Sequence, residues 1–256
     1  MELWTLTENT SVREDLRSEH GLSLCLGLGE KKILFDFGQT DAFALNAAVM
    51  GIRLEDISLA VLSHGHYDHG GGISRFLREN DRARIYVNHH AFGDHRRNDG
   101  SYIGLDTALE SHPRILAAED GTVLAEGIRL AQLPPAPTDP QGMFRLEGGR
   151  AVPEDFRHEQ YLLIEEAGKR ILLSGCSHRG VLPLLERFRP DVLIGGFHTR
   201  SLDPQGPALR ALGEAMDRSG ATFLTCHCTG DAQYAVLSRI LGPRLRRLRT
   251  GDSVTV

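Results

Sequence analysis

The chain has 256 residues, 41% hydrophobic and 25% charged, with a net charge of −5. This composition excludes collagen-like, disordered and coiled-coil chains, and the acidic balance argues against bulk attraction to nucleic acid. At this length a full core forms without disulfide or metal staples, and a single domain over residues 1–256 is the expected organisation. One count stands out: 12 histidines, unevenly spread.

The N-terminus lacks a basic stretch followed by an apolar one, so no signal peptide is expected. No apolar run approaches the roughly 18 residues of a membrane span. Residues 2–7, 22–28 and 32–37 read as strands, the last two as a hairpin turning over residues 27–31. Residues 41–50 read as a helix stopped by Gly51. Residues 57–62 read as a buried strand that delivers Ser63-His64 into a loop; a helix follows over 73–79 and a strand over 85–87. From residue 88 to 120 the periodicity weakens, and 130–133 reads as a strand.

Residues 134–159 hold five prolines and three glycines with little periodicity. Strand signals resume at once afterwards, so the segment reads as a lid or substrate loop rather than a linker. Residues 161–165 and 169–173 form a hairpin around Ala167-Gly168. Then come a helix over 181–188, a strand over 192–194, a helix over 207–219, a strand over 221–226, a helix over 232–241 and a last strand over 253–256. Each half carries strands first and then alternating helices and strands. That order predicts two sheets with helices outside, as in a pseudo-duplication, although no short repeat is visible.

The chemistry concentrates in Ser63-His64-Gly65-His66-Tyr67-Asp68-His69-Gly70-Gly71-Gly72. A spacing of two between His64 and His66 suits a loop leaving a strand, not a helix face. Imidazoles with a carboxylate are the usual donors for zinc and similar divalent metals. His178, His198 and His227 each follow an apolar strand and enter a glycine- or hydroxyl-bearing turn, at the open end of an α/β sheet where ligands bind. His178 and His227 are candidate ligands, and His198 is a candidate catalytic or substrate residue. His89, His90, His95 and His112 read as solvated, and His20 and His158 as edge residues without strong chemistry. Arg244, Arg246, Arg247 and Arg249 read as a solvated or salt-bridged strand face. Cys25, Cys176, Cys226 and Cys228 read as reduced thiols of a cytoplasmic protein.

The run from His64 to His69 resembles the His-x-His-x-Asp-His signature of the metallo-β-lactamase superfamily, and Ile33-Leu34-Phe35-Asp36-Phe37-Gly38 resembles that family's strand ending in an Asp-x-Gly turn. The resemblance implies an α+β or α/β chain: a four-layer αβ/βα sandwich of two mixed sheets flanked by helices, with a one- or two-metal site at one edge. It implies one metal on His64, His66 and His178, a second on Asp68, His69 and His227, and Asp36 supporting the metal loop from behind. The family's bridging aspartate stands in a Ser/Thr-Gly-Asp turn, whereas this chain has Ser174-Gly175-Cys176. Cys176 is therefore either a soft ligand or a packing residue, and the second metal is left open.

Gly-Cys-Ser-His, Gly-Gly-Phe-His and His-Cys-Thr-Gly, with residues 20–23 and 156–160, look like a subgroup around the archaeal dihydropterin ribofuranosyl-aminobenzene 5'-phosphate synthase. The expected function is a metal-dependent hydrolase using metal-activated water on a phosphorylated or ester substrate. Asp68 and His198 would be catalytic, and Thr199 and Arg200 would bind substrate. A pterin-linked transferase releasing pyrophosphate is one alternative, and a non-catalytic metal-bound sensor another. The expected cofactor is one or two divalent ions, zinc first, with Mn2+, Fe2+ or Mg2+ as substitutes. The expected partner is a small-molecule substrate, with no nucleic acid and no membrane; the oligomeric state is left open.

Overall fold

The structure is a computed structural model that describes residues 1–136 and 138–256. In chain order its strands are β1 (Glu2–Thr7), β2 (Ser23–Leu28), β3 (Lys31–Phe35), β4 (Ile57–Val61), β5 (Arg84–Asn88), β6 (Asp94–Arg97), β7 (Ile115–Ala118), β8 (Val123–Ala125), β9 (Ile128–Ala131), β10 (Met143–Glu147), β11 (Arg150–Pro153), β12 (Tyr161–Glu166), β13 (Lys169–Ser174), β14 (Val192–Gly195), β15 (Thr222–Thr225), β16 (Leu245–Arg247) and β17 (Ser253–Thr255). Its helices are α1 (Ala42–Val49), α2 (Tyr67–Gly70), α3 (Ile73–Glu79), α4 (Val181–Phe188), α5 (Pro207–Ser219) and α6 (Asp231–Leu241).

One sheet has the order β17-β1-β2-β3-β4-β5-β7, and the other β16-β15-β14-β13-β12-β9-β8. In the first, β17 to β3 pair antiparallel and β3, β4, β5 and β7 pair parallel. In the second, β8, β9, β12 and β13 pair antiparallel and β13 to β16 pair parallel. The two sheets therefore share one plan, as duplicated halves would. Parallel neighbours need a crossover, and α1 and α3 supply it in the first sheet, α4, α5 and α6 in the second.

Side-chain alternation gives each sheet two buried faces. Leu24, Leu26, Ile33, Phe35, Leu59 and Val61 of the first sheet share a core with Leu162, Ile164, Ile171, Leu173, Val192 and Ile194 of the second. The intervening Cys25, Leu34 and Ala60 pack with Phe43, Ala47 and Phe76 of α1 and α3. Leu163, Leu172 and Leu193 likewise pack with Leu184, Leu209, Met216 and Leu237 of the other helices. Strands buried on both faces read as continuous apolar runs, which makes them legible in the sequence. The result is the expected four-layer helix–sheet–sheet–helix sandwich.

Regular structure also fills stretches where the sequence pattern is blank. β6 and β7 lie within residues 88–120, and residues 134–159 carry the hairpin of β10 and β11 instead of an irregular loop. That hairpin pairs with β6 in a third sheet, in the order β11-β10-β6. Its inward-facing side chains are charged or polar: Arg145 is the one buried residue of β10, and His95 that of β6. Apolar alternation therefore had nothing to report. Residue 137, inside the expected loop, lies outside the described residues. β3 ends at Phe35 rather than 37, because Asp36 turns to φ +61°. The basic run near the C-terminus includes β16, with Arg244, Arg247 and Arg249 facing Asp217, Asp231 and Asp252. No helix among the described residues is long and apolar enough to cross a membrane.

Leu26 is 0% exposed in the inter-sheet core. Leu26→Ala is expected to destabilise the protein by about 2–5 kcal/mol in denaturant unfolding through lost burial and a cavity, with metal content per folded molecule unchanged.

Candidate metal centre

Asp36, the loop after β4, and the turns after β13, β14 and β15 all lie at the C-terminal ends of parallel strands. Four non-glycine residues here have left-handed backbone: Asp36, Ser177, His198 and His227, at φ +61°, +56°, +47° and +54°. Aspartate and histidine tolerate that region better than most residues, and such strain gathers at functional sites. The Asp36 carboxylate is fully buried. It accepts the Ser63 N–H at 2.7 Å and Oγ–H at 2.8 Å, and the His69 Nδ1–H at 2.7 Å. It thereby ties β3 to both ends of the loop that carries His64, His66 and Asp68. Gly175 closes the same corner, since a Cβ there would collide with Ser63 Oγ.

Besides His69, three of the candidate ligands are oriented through a ring nitrogen. His64 Nδ1–H donates to Ser63 Oγ at 2.8 Å. His178 Nδ1–H donates to Gln141 Oε1 at 2.9 Å, while Gln141 Nε2–H donates to the His178 carbonyl at 2.9 Å. Asn9 brackets His227 in the same way, with Oδ1 on Nδ1 at 3.0 Å and Nδ2–H on the carbonyl at 3.1 Å. Buried carboxylates hold the two backbones: Glu159 accepts the His178 N–H and Glu8 the His227 N–H, at 2.8 and 2.7 Å. Such outer contacts fix the tautomer and aim of metal-binding imidazoles. Glu159 lies in the run 156–160 that carries the subgroup resemblance, whereas Asn9, Gln141 and Glu8 were not identified from the sequence, because single polar residues in loops carry no pattern.

Two groups of donors result. In the first, His64, His178 and Cys176 offer ligand atoms within 4.8 Å of one another, and the His66 ring lies beside both histidines at centroid distances of 4.6 and 5.0 Å. The Nε2 atoms of His64, His66 and His178 are each buried and without a hydrogen-bond partner. Burial and the neighbouring imidazoles hold His64 and His178 well below the usual histidine range. Burial pushes His66 down to about 3, against the pull of Asp68. All three rings are thus neutral with a free lone pair, the form that binds a cation. In the second group, His69 Nε2 faces His227 Nε2 at 3.2 Å, and Asp68 Oδ2 lies 3.4 Å from His227 Nε2. Two imidazole nitrogens this close need a proton or a metal between them. Burial opposes charge on His69, but Asp36 and Asp68 outweigh it and lift the group to about 9. Burial likewise opposes charge on Asp68, yet His69, His20 and His227 hold it well below the usual carboxylate range. Buried unpartnered nitrogens beside an ionised carboxylate fit a divalent metal.

Cys176 stands between the groups. Its Sγ is 3.2 Å from His69 Nε2 and within 4.8 Å of ligand atoms of His64 and His178 on one side and His69 and His227 on the other. Cys228 joins Cys176 and His198 in a further cluster. Burial, reinforced by Cys228, pushes the Cys176 thiol well up. Against burial, contacts with Cys176 and His198 hold Cys228 well below the usual thiol range. Sequence reasoning had passed over Cys228, although its place in His-Cys-Thr-Gly beside a ligand was a signal.

A cavity of about 310 Å3 opens on these groups, walled by His66, Asp68, Cys176, His178, His198 and His227, with Arg97, Arg200 and Ser201 also lining it. A larger one of about 690 Å3, lined by His90, Asp155, Arg157 and Arg179, holds none of the clustered histidines. Arg200 and His198 therefore both line this cavity. Thr199 does not: it is 2% exposed and its Oγ1–H is committed to the Thr229 carbonyl at 2.8 Å. His20 is closer to the chemistry than expected, with Nε2 at 3.3 Å from Asp68 Oδ2. His95 is buried, not solvated, and His158 is fully buried against His66 at 5.0 Å between centroids. His89 and His90 are exposed, as expected, and His112 is half-buried.

A four-layer sandwich with a histidine-rich candidate metal centre at the strand ends has the architecture of the metallo-β-lactamase fold. Residues 20–227 match the family model of the metallo-beta-lactamase superfamily, and the chain belongs to that superfamily. The solved structure of Tm1679, a metal-dependent hydrolase of the beta-lactamase superfamily, is similar at 25% identity with a TM-score of 0.84, covering 100% of this chain and 99% of that one. The uncharacterized protein MJ0448 of Methanocaldococcus jannaschii is 25% identical over 249 residues, 92% of this chain and 93% of that protein. The same organism's 7,8-dihydropterin-6-methyl-4-(beta-D-ribofuranosyl)-aminobenzene-5'-phosphate synthase is 25% identical over 262 residues, 90% of this chain and 88% of that protein.

His66→Ala is expected to lose bound metal in plasma emission analysis, and full retention would sink the assignment. Asp36→Asn leaves Ser63 and His69 short of an acceptor. It is expected to weaken zinc binding about 10–100-fold in a chelator competition.

Proposed function

We propose that the protein is a metal-dependent hydrolase of a small phosphorylated or ester substrate, acting in the cytoplasm with its cysteines reduced. The observation that carries this reading is the set of buried, neutral, unpartnered Nε2 atoms of His64, His66 and His178 beside the ionised Asp68. A divalent metal bound there, zinc by the nitrogen and sulfur donor set, supplies Lewis acidity and brings the pKa of a coordinated water towards about 7.

The chain's own groups do the rest. Asp68 Oδ2 accepts the proton of the attacking water, with His20 Nε2 3.3 Å away to share it. Arg97 and Arg200 hold the anionic group of the substrate, and their planar guanidinium groups suit phosphate oxygens. His198, with its ring centroid 4.2 Å from that of His178, stabilises charge on the departing oxygen. Tyr67, Ile103 and Met143 give the rest of the substrate an apolar wall.

A second reading, a pterin-linked transferase releasing pyrophosphate, is supported by the 25% identity to the synthase over 90% of the chain. Both are tested by assaying zinc-loaded protein against phosphomonoesters, phosphodiesters, lactones, thioesters and a pterin pyrophosphate. Ester or phosphate hydrolysis is the expected result. Pyrophosphate release from the pterin compound alone, with transfer to an aromatic amine, would replace the hydrolase reading. Arg200→Ala is expected to raise KM about 10-fold or more, the value of one charge-assisted hydrogen bond, with metal content unchanged.

A further inference from the structure

Behind the metal loop, His95, Glu154 and His158 lie 1%, 1% and 0% exposed. They offer three ligand-type atoms within 4.8 Å of one another, yet the arrangement does not suit a metal. His158 accepts the Gly65 N–H at Nδ1 over 2.9 Å, so its neutral ring carries the proton on Nε2 and has no lone pair to give. His95 faces Glu154 Oε2 at 2.8 Å and the His90 carbonyl at 3.2 Å. Both His95 nitrogens are therefore already engaged by oxygen partners. Arg145 Nη1, 3.8 Å from Glu154 Oε1, already places a positive charge beside the carboxylate.

The cluster instead forms a chain of contacts that ends on the metal loop. Glu154 Oε1 accepts the N–H groups of Asp155 and Phe156 at 3.0 Å each, which fixes the carboxylate. Glu154 orients His95, whose ring lies against that of His158 with centroids 3.9 Å apart. His158 holds the N–H of the residue between His64 and His66. On another side Gly65 is hemmed by Ala91, whose carbonyl a Cβ would strike. Without its acceptor, this buried N–H would be left unpaired, and the peptide would turn to find another partner.

We propose that His158 is a positioning residue that sets the aim of His64 and His66 through the Gly65 N–H, with Glu154 and His95 as its mount. The proposal rests on the metal reading of those two histidines. It explains why the third sheet exists: β6 brings His95, β10 brings Arg145, and Glu154 follows β11, so the sheet carries the mount. The same segment also aims His178, through Gln141 and through Phe156, which stacks on its ring at 4.4 Å and 8°.

The test compares two substitutions in the full chain. His158→Asn places an oxygen where Nδ1 stands and accepts the same N–H; His158→Leu cannot. Zinc affinity is read by chelator competition and ligand geometry by the visible absorption of cobalt-loaded protein. His158→Leu is expected to bind zinc about 10–100-fold more weakly with a changed cobalt spectrum, and His158→Asn to stay close to the unaltered protein in both. Unaltered zinc binding in His158→Leu, or an equal loss in both variants, overturns the proposal alone. An unaltered chain that binds no zinc overturns the metal reading and the proposal with it. Long-range proton–nitrogen NMR of the unaltered metal-loaded protein gives a readout independent of how the variants fold. His158 is expected to carry its proton on Nε2, and a proton on Nδ1 overturns the proposal.

Discussion

The buried carboxylate of Asp36 is the contact on which the site depends. It leaves β3 in a left-handed turn and takes three donors from the loop that follows β4. A buried charge must be compensated, and a carboxylate with three donors is nearly satisfied. The loop can therefore take only a conformation in which Ser63 and His69 both face Asp36. Ser63 passes the constraint to the His64 ring, and His69 passes it to His227. One carboxylate thus sets one of the donors directly and two more at one remove.

The two halves of the fold treat their late histidines alike. His178 and His227 each receive an amide side chain that spans the ring and the carbonyl, and each has its backbone N–H held by a buried glutamate. Glu8 and Asn9 reach across from the first half to the second, whereas Glu159 and Gln141 act within the second. The sandwich makes this possible, because the strand ends of both sheets open on one edge. The donors are aimed before a cation arrives, which keeps the cost of organising the site in the fold and not in the binding step.

The central strands of the main sheets were legible because they are buried on both faces and carry unbroken apolar runs such as residues 57–62 and 161–164, whereas their edge strands β7 and β8 were not. The third sheet was not, because its inward residues are His95 and Arg145, which satisfy one another through Glu154 instead of through apolar contact. The same cause hid the role of His95: a histidine in a polar segment looks solvated until a buried partner is found for it. Thr199 misled in the opposite sense, since a hydroxyl beside Arg200 looks available until the Thr229 carbonyl is seen to hold it. Cys176 was marked by its position in the turn where the family carries an aspartate, and its Sγ lies between the two groups of histidines.

By itself the sequence determined the class of fold, the loop of His64, His66, Asp68 and His69, and the arrival of His178, His198 and His227 at strand ends. Those features are local: they follow from apolar period, from spacing and from the residue types that bind cations. The tertiary structure alone decided which ring nitrogens of His64, His178 and His227 are held by partners, which donors lie within reach of one another, that Cys228 lines the cavity, and that His158 holds the Gly65 N–H. Such facts depend on hydrogen bonds between residues up to 219 apart in the chain, as from His227 to Glu8. No local pattern encodes a contact of that length; only the closure of two sheets over a common core brings it about.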